Sequence, residues 1–356
     1  MIISYLEIYS LLLGCIGTLI VLKFWENYIR IGYDSKKKIQ KLHTNISYRI
    51  GGITSIFFIV VLSFFGNFSY SLQIILLVFI PLISVSVIED LFQNVAIKIR
   101  FLFMFITSVL LVYLTESYFT DTGIEFLNLI FSNIFLSILI TSFGVLVTCN
   151  AWNFIDGVNG LSSGLGAFAL LCLSFLTTDI DVAGFREFLR LSAFVFFGFF
   201  LINIITGRVF LGDTGSYFLG TLIGWSGVLI ANHSEISPWA IFLIIIYPAS
   251  DIIFSVVRRI YSKKSPFLSD NLHLHSLLFS ILDVKYKLNY TNSFTGLIIL
   301  SLGVAPGLLC LIIDYKYPLV LYASFIFFSI YVIFYFILSI ILQKLLARSK
   351  NKLKII

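Results

Sequence analysis

The 356-residue chain is 59% hydrophobic and only 12% charged, and its mean hydropathy is +1.02. So few polar side chains cannot cover the surface of a soluble globule, which excludes a soluble enzyme or binding module. The formal net charge of +6 is better explained by attraction to anionic lipid headgroups than by nucleic-acid binding.

Eleven apolar segments are long enough to predict membrane-spanning helices. They lie at about 3–22, 50–66, 72–88, 99–114, 126–148, 160–177, 189–206, 216–231, 238–256, 293–313 and 319–342. We therefore predict an all-α, polytopic membrane protein in which residues 1–356 form one transmembrane domain.

Alternate connections between these segments carry most of the basic residues. The loops 23–49, 89–100, 149–159, 207–215 and 257–292, together with the tail 343–356, hold 21 of the 24 Lys and Arg. By the positive-inside rule these loops are cytosolic, the amino terminus is outside and the carboxyl terminus is cytosolic. The first segment has no basic residue before it, so we expect an anchor that is not cleaved.

The first cytosolic loop carries Lys41, His43 and Arg49, followed by Gly51 and Gly52. A basic loop can simply bind the membrane surface. A guanidinium beside flexible glycine backbone also suits an anionic ligand, so the three basic residues are candidate substrate contacts.

The third predicted span ends in the acidic pair Glu89 and Asp90, and Lys98 and Arg100 follow at the start of the next. Adjacent helical residues point about 100° apart, so we expect one carboxylate to meet a ligand and the other to support it. Both are candidate catalytic residues, and Lys98 is a candidate substrate contact. A purely structural carboxylate pair at a helix end is the alternative.

Two further motifs combine amides, carboxylates and glycines. Asn150, Asn153, Asp156 and Asn159 lie in N-x-x-N-x-x-D-G-x-N-G, and if the fifth helix continues, its amides and glycines share one face. The motif G-D-T-G-S opens the eighth segment. There Thr214 and Ser216 can cap the new helix and leave Asp213 free for a metal ion.

The last cytosolic loop contains His273 and His275, whose spacing puts both on one side only in extended backbone. Imidazoles beside phosphates are favoured over a structural zinc site, since no cysteine accompanies them. Asp251, in the ninth segment, is expected to pair with Arg258 or another cytosolic group.

These polar residues all fall on the predicted cytosolic face. A transporter would instead place ionisable groups near the bilayer midplane, where this chain has almost none. Carboxylates and amides without cysteine suit a hard ion such as Mg²⁺, and nearby cations suit phosphate oxygens. The combination indicates a reaction between a lipid phosphate and a nucleotide diphosphate.

The ordered motifs over residues 34–280 resemble the polyprenyl-phosphate N-acetylhexosamine-1-phosphate transferases. These motifs are K-x-H with R-x-G-G, the acidic pair, N-x-x-N-x-x-D-G, G-D-T-G-S and H-x-H. The resemblance implies ten or eleven helices around a cytosolic cleft, commonly in a homodimer. It also implies Mg²⁺, with Mn²⁺ as an alternative, held by Asp213 with Asn153 or a neighbouring carboxylate.

The same resemblance implies roles for the remaining residues. Asp90 and Glu89 would lie near the lipid phosphate, Asp156 and Asn159 near the uridine or pyrophosphate, and His273 and His275 at the pyrophosphate or sugar phosphate. The remaining candidate substrate contacts are Lys41, His43, Arg49, Lys98, Asn150, Asn153 and Arg258. Glu89 replaces the usual Asp, and Ser276 and Leu277 replace further basic residues, which argues against the peptidoglycan branch.

We therefore predict a bacterial inner-membrane enzyme with a cytosolic active site. It would transfer a HexNAc 1-phosphate, by default GlcNAc 1-phosphate, from its UDP-sugar to undecaprenyl phosphate and release UMP. This would be the first membrane step of a surface polysaccharide such as O-antigen. UDP-QuiNAc, UDP-FucNAc and UDP-GalNAc are alternative donors. A lipid-linked sugar transporter or an inactive relative is the alternative of a different class.

Overall fold

The computed structural model describes residues 4–29, 31–32, 47–65, 69–177, 184–233, 235–265, 272–286, 290–313 and 315–353. These residues are helical apart from turns, connections and one isolated bridge between Tyr48 and Val209, which confirms the all-α class. The predicted substrate contacts Lys41 and His43 lie outside the described residues.

The helices are numbered here in chain order. They are α1 (Tyr5–Ile29, with two π-helical turns), α2 (Gly51–Phe65), α3 (Tyr70–Leu77), α4 (Ile80–Phe92), α5 (Ile97–Leu114), α6 (Glu125–Phe131), α7 (Ile134–Ile155), α8 (Leu161–Leu176), α9 (Phe185–Thr206), α10 (Gly212–His233), α11 (Pro238–Ile244), α12 (Ile246–Tyr261), α13 (Leu274–Tyr286), α14 (Thr291–Ile312) and α15 (Leu319–Leu353).

Each of the eleven predicted spans coincides with a helix or a pair of helices. Within the described ranges, eight helical segments are long and apolar enough to cross a membrane, and α11 with α12 makes a ninth if that pair, bent by 85°, is one span. The helices α2 and α8 are apolar but shorter. The chain is thus a multi-pass membrane protein, while the number of eleven and the orientation stay predictions.

Helix α10 lies at the centre of the bundle and is buried from Gly212 to Ile230. Its glycines let neighbouring backbones approach closely. A Cβ at Gly220 would lie 2.8 Å from the Cα of Cys149 in α7, and one at Gly215 would lie 2.5 Å from the Cα of Gly52 in α2. Because lipid supplies little hydrophobic drive between helices, such close packing is a main source of helix association in membranes.

The segment before α2 is tied to the segment before α10 by backbone hydrogen bonds. Tyr48 donates to the carbonyl of Arg208 at 3.0 Å and accepts from Phe210 at 2.8 Å. Gly51 and Gly52 continue the ladder with bonds of 2.9 and 2.8 Å to Phe210 and Leu211. The two glycines of R-x-G-G therefore serve close packing rather than flexibility.

We predict that Gly52→Ala destabilises the protein. The added Cβ would lie 2.1 Å from the backbone nitrogen of Gly215, so α2 and α10 must separate, at a cost of about 1–3 kcal/mol for overpacking. Thermal unfolding of purified protein in detergent measures this. Gly144→Ala is the matched control, since nothing lies within 4 Å of a Cβ there. Equal melting temperatures for the two variants would contradict the packing account.

Candidate active site

The amino terminus of α10 is capped by a carboxylate from another helix. Asp90, fully buried at the end of α4, accepts the backbone N–H of Asp213 at 2.9 Å and that of Thr214 at 2.8 Å. The hydroxyl of Thr214 donates to the same carboxylate at 2.6 Å. The expectation that Thr214 and Ser216 cap this helix was therefore wrong, because a carboxylate from α4 fills the cap position and complements the helix dipole.

Asp213 lies at this capped end and faces two cations and an amide. Arg100 Nη1 lies 2.5 Å from its Oδ2, and Arg49 Nη1 lies 3.9 Å from its Oδ1. Asn153 Nδ2 donates to Oδ1 at 3.1 Å and to the hydroxyl of Ser216 at 3.0 Å. The predicted metal-ligand pair, Asp213 and Asn153, is thus brought together from α10 and α7.

Arg100 is a site residue that the list of candidates drawn from the sequence missed. Besides Asp213, it lies 3.7 Å from Glu89 and 3.5 Å from the hydroxyl of Tyr217. Lys98, chosen instead, is exposed at the start of α5. The sequence did hold a signal, since K-x-R places the second cation about 200° around the helix from the first, but only packing shows which of the two turns inward.

Glu89 supports the site from behind. Its Oε2 accepts the backbone N–H of Val95 at 2.9 Å, which fixes the turn between α4 and α5, and its Oε1 faces Arg100. We expected one acidic residue to meet a ligand and the other to support it, and in the structure both carboxylates hold parts of the protein in place. Asp90 holds α10, and Glu89 holds the connection that positions Arg100.

Asp156 joins the cluster from the end of α7. The helix ends at Ile155, so the condition for a shared face of amides and glycines, a helix that continues through the motif, is not met. Asp156 Oδ2 accepts the backbone N–H of Gly212 at 3.2 Å. Burial and the neighbouring Asp90 carboxylate raise the pKa of Asp156 well above its usual range.

The other two amides of the motif form hydrogen bonds inside the helix bundle. The Asn159 backbone N–H donates to Asn292 Oδ1 at 2.6 Å, and its side-chain Nδ2 donates to Ser293 at 2.9 Å, both in α14. Asn150 Nδ2 donates to the carbonyl of Leu146 at 3.0 Å, one turn back in its own helix. Both residues therefore have a structural role. Their predicted contact with substrate stays a prediction.

A second polar cluster surrounds the two histidines. His273 Nδ1 lies 2.6 Å from Asp251 Oδ2, so Asp251 pairs with another group of the predicted cytosolic loop, as the expectation allowed, rather than with Arg258. Arg258 instead donates to Ser255 and lies over the ring of Tyr335, 5.7 Å from its centroid. The two residues lie on the same face of α12 but two turns, about 10 Å, apart, so Asp251 is level with His273 and Tyr331 while Arg258 meets Tyr335 further along.

The two imidazoles are stacked, with centroids 5.4 Å apart and planes 6° from parallel. Extended backbone was expected to be necessary for this, but His275 lies in the first turn of α13 while His273 precedes it. The cluster borders the end of α7. Phe154 lies 5.5 Å from the His273 ring, and a Cβ on Gly157 would lie 2.9 Å from His275 Nε2.

The donor set is one of oxygens and cations. Among the described residues, no three His, Cys, Asp or Glu side chains gather to hold a metal ion by themselves. Within the described residues, the cluster holds four carboxyl groups, those of Glu89, Asp90, Asp156 and Asp213, and two guanidiniums, those of Arg49 and Arg100. This arrangement can bind phosphate oxygens through its arginines and has an excess of negative charge.

We predict that Asp90→Asn lowers the stability of the folded protein. An amide cannot accept all three of the hydrogen bonds that the carboxylate accepts, and bonds to a charged group contribute about 1.5–3 kcal/mol each. Thermal unfolding in detergent measures the loss. Asp283→Asn, at an exposed position of α13, is the control. An unchanged melting temperature for Asp90→Asn would contradict the capping role.

We also predict a pH-dependent contribution from His275. Burial lowers the pKa of this imidazole from 6.5 to about 4. The unfolded chain therefore binds the proton first, so stability is lost as the pH falls from about 6.5 to about 4, by at most about 3 kcal/mol at 1.36 kcal/mol per unit. His275→Gln, which cannot be protonated, should melt with a smaller difference between pH 7 and pH 4.5 than the wild type. Equal differences would refute this.

Comparisons with known proteins match the part of the chain that carries most of this site. A family described as glycosyl transferase family 4 matches residues 72–231, which include Glu89, Asp90, Asn153, Asp156 and Asp213. Arg49 and the two histidines lie outside the matched residues.

Three curated relatives show how far the similarity extends. A probable undecaprenyl-phosphate N-acetylglucosaminyl 1-phosphate transferase of Bacillus subtilis is 28% identical over 261 residues, 70% of each chain. An undecaprenyl-phosphate alpha-N-acetylglucosaminyl 1-phosphate transferase of Thermotoga maritima is 33% identical over 35% of this chain and 38% of its own. A phospho-N-acetylmuramoyl-pentapeptide-transferase of Staphylococcus haemolyticus is 25% identical over 73% of this chain and 84% of its own. The resemblance drawn from the motifs is thereby confirmed: the chain is similar to glycosyl transferase family 4 over residues 72–231 and to curated phosphoglycosyl transferases over as much as 73% of its length.

Proposed function

We propose that the protein transfers a HexNAc 1-phosphate, by default GlcNAc 1-phosphate, from its UDP-sugar to undecaprenyl phosphate and releases UMP. The observation that carries this proposal is the position of Asp213, which has Asn153, Arg100 and Arg49 around it at the capped end of α10. The names of the relatives from B. subtilis and T. maritima support the lipid acceptor and the sugar 1-phosphate.

Phosphoryl transfer chiefly asks for alignment and for neutralisation of charge on the phosphate oxygens. Arg49 and Arg100 reach the site from different segments, so two phosphates can each find a guanidinium. The lipid phosphate is already mostly ionised near neutral pH, since its second pKa is about 6. A base therefore has only a residual proton to remove, and Asp156, a buried carboxyl with a raised pKa, can hold that proton.

Asp90 takes a positioning role in this scheme. Both of its oxygens already accept hydrogen bonds from the start of α10, so it fixes Asp213 instead of accepting a proton from substrate. Glu89 acts one step further back, through Arg100. The one-methylene difference from the usual Asp is accommodated because its second oxygen binds the backbone of Val95.

The residues fit a magnesium ion, with Mn²⁺ as an alternative. Mg²⁺ needs only one or two protein ligands when phosphates and water supply the rest. Asp213 and the side-chain amide of Asn153 would hold it. Its positive charge would offset the excess of carboxyl groups over guanidiniums in this cluster. When bound, it would neutralise negative charge on the diphosphate while an oxygen of the lipid phosphate bonds to the phosphorus of the sugar phosphate and UMP leaves.

The wider setting belongs to the same proposal. An inner membrane location with the site facing the cytosol follows from the positions of the basic loops, and the product would start a surface polysaccharide such as O-antigen. UDP-QuiNAc, UDP-FucNAc and UDP-GalNAc are the alternative donors. The transporter alternative is disfavoured because the charged cluster gathers at helix ends. The homodimer stays a prediction of the resemblance.

We predict that membranes containing the protein release UMP from labelled UDP-GlcNAc when Mg²⁺ and undecaprenyl phosphate are both present. Removal of Mg²⁺ with a chelator should stop the release. Asp213→Asn should reduce it at least about a hundredfold, since an amide is a poorer ligand for Mg²⁺. Asp283→Asn, on the exposed face of α13, should leave the rate unchanged.

The product separates the classes of function. An ordinary glycosyltransferase would release UDP, and a transporter or an inactive relative would release neither nucleotide. Near-normal turnover by Asp213→Asn, with an unchanged melting temperature, would remove this residue from the metal site. The other UDP-HexNAc donors, given to purified protein, decide which sugar is transferred.

A further inference from the structure

Asp251 is a buried carboxylate that the scheme above does not use. It lies in α12, seven residues after the 85° bend from α11, and is only 1% exposed. An ionisable group inside a membrane bundle is costly unless it is paired, and such groups usually serve a function. Its surroundings show which partner it serves.

Three groups from two other helical segments donate to this carboxylate or lie at bonding distance from it. The hydroxyl of Tyr331 in α15 donates to Oδ1 at 2.8 Å. The backbone N–H of Leu274 donates to the same oxygen at 3.2 Å, and His273 Nδ1 lies 2.6 Å from Oδ2. Asp251 therefore joins the beginning of α13 to α15 and fixes its own orientation at the same time.

This geometry determines the state of the His273 ring. A carboxylate can only accept hydrogen bonds, so the imidazole must carry a proton on Nδ1. The other nitrogen, Nε2, is turned away from Asp251 and can donate to a phosphate oxygen when it carries a proton. His273 also lies against Phe154, the residue after Asn153, which places the ring beside the metal-ligand helix α7.

His275 has a different environment, although the two rings are stacked. Its Nδ1 is 3.5 Å from the hydroxyl of Tyr247, which is the limit of a hydrogen bond, and it makes no contact with Asp251 shorter than that in the described contacts. The stack therefore has one member held by a carboxylate and one that is not. The positioning effect of Asp251 acts on His273.

We propose that Asp251, with Tyr331 behind it, is a positioning residue that holds His273 so that Nε2 binds a phosphate of the nucleotide donor. The proposal rests on the proposed function, because it names the part of that site which binds the nucleotide phosphates. The sequence left Asp251 open between a structural role and a role in the site, and it gave no indication of Tyr331; both lie outside the residues matched by the family.

The test is a double-mutant cycle read by binding of UMP to purified protein, measured by calorimetry in detergent with Mg²⁺ present. We expect His273→Gln to weaken binding about tenfold, the value of one hydrogen bond to a charged group. Asp251→Asn should weaken it by a similar factor. In the double variant the loss should be no greater than in either single variant, because Asp251 acts only through His273.

The controls separate positioning from folding. Asp283→Asn should bind UMP as the wild type does, and melting temperatures report the fold of every variant. Should Asp251→Asn fail to fold, Tyr331→Phe replaces it in the cycle, since it removes one hydrogen bond and leaves the carboxylate. We expect it to weaken binding about threefold in the wild type and not at all in His273→Gln.

Steady-state kinetics distinguish a positioning role from a merely structural one, because only the first affects the two substrates differently. Asp251→Asn should lower kcat/KM for the UDP-sugar and leave KM for undecaprenyl phosphate unchanged. Losses that multiply in the double variant, or unchanged UMP binding in Asp251→Asn, would overturn the proposal. A wild-type protein that binds UMP with the expected coupling but releases none from UDP-sugars would refute the transferase and keep the positioning role.

Discussion

The carboxylate of Asp90 holds the beginning of the most deeply buried helix of the bundle, and the site is built on that contact. It accepts two backbone N–H groups and one hydroxyl from the first turn of α10. These groups would otherwise be unsatisfied in an environment with little water, where each unpaired polar group is expensive. The negative charge also complements the positive end of the helix dipole. Asp213 is positioned because the turn that carries it is fixed.

Close packing against the start of α10 also positions the two arginines of the site. The segment 47–52 pairs with 208–211, and Gly52 lies against Gly215, so Arg49 arrives beside Asp90 and Asp213 by backbone geometry. Arg100 arrives through α5, held by Glu89 and Tyr217. The two guanidiniums thus reach the carboxylate of Asp213 from segments that are far apart in the sequence. Such preorganisation suits phosphoryl transfer, in which the protein mainly aligns and neutralises the reactants.

The histidine pair shows how neighbouring residues of one type receive different properties. His273 has a carboxylate at hydrogen-bond distance, while His275 is buried beside Gly157 with a pKa lowered to about 4. Nδ1 of His273 is engaged by a carboxylate, which fixes the orientation of that ring, and His275 has no such partner among the contacts described. Paired titratable groups in contrasting environments are typical of sites that divide proton and charge roles.

The sequence by itself determined the membrane class, the helical fold, the resemblance to a transferase family and most of the residues that meet, because hydropathy and motif spacing are local properties. Asp213 with Asn153, and Asp90 near them, follow from the motifs. Only the tertiary structure decided that Asp90 caps α10, that Arg100 rather than Lys98 turns inward, and that Asp251 binds His273. Those outcomes depend on which side of each helix packs against a partner distant in the chain. A pattern within one segment cannot contain that information.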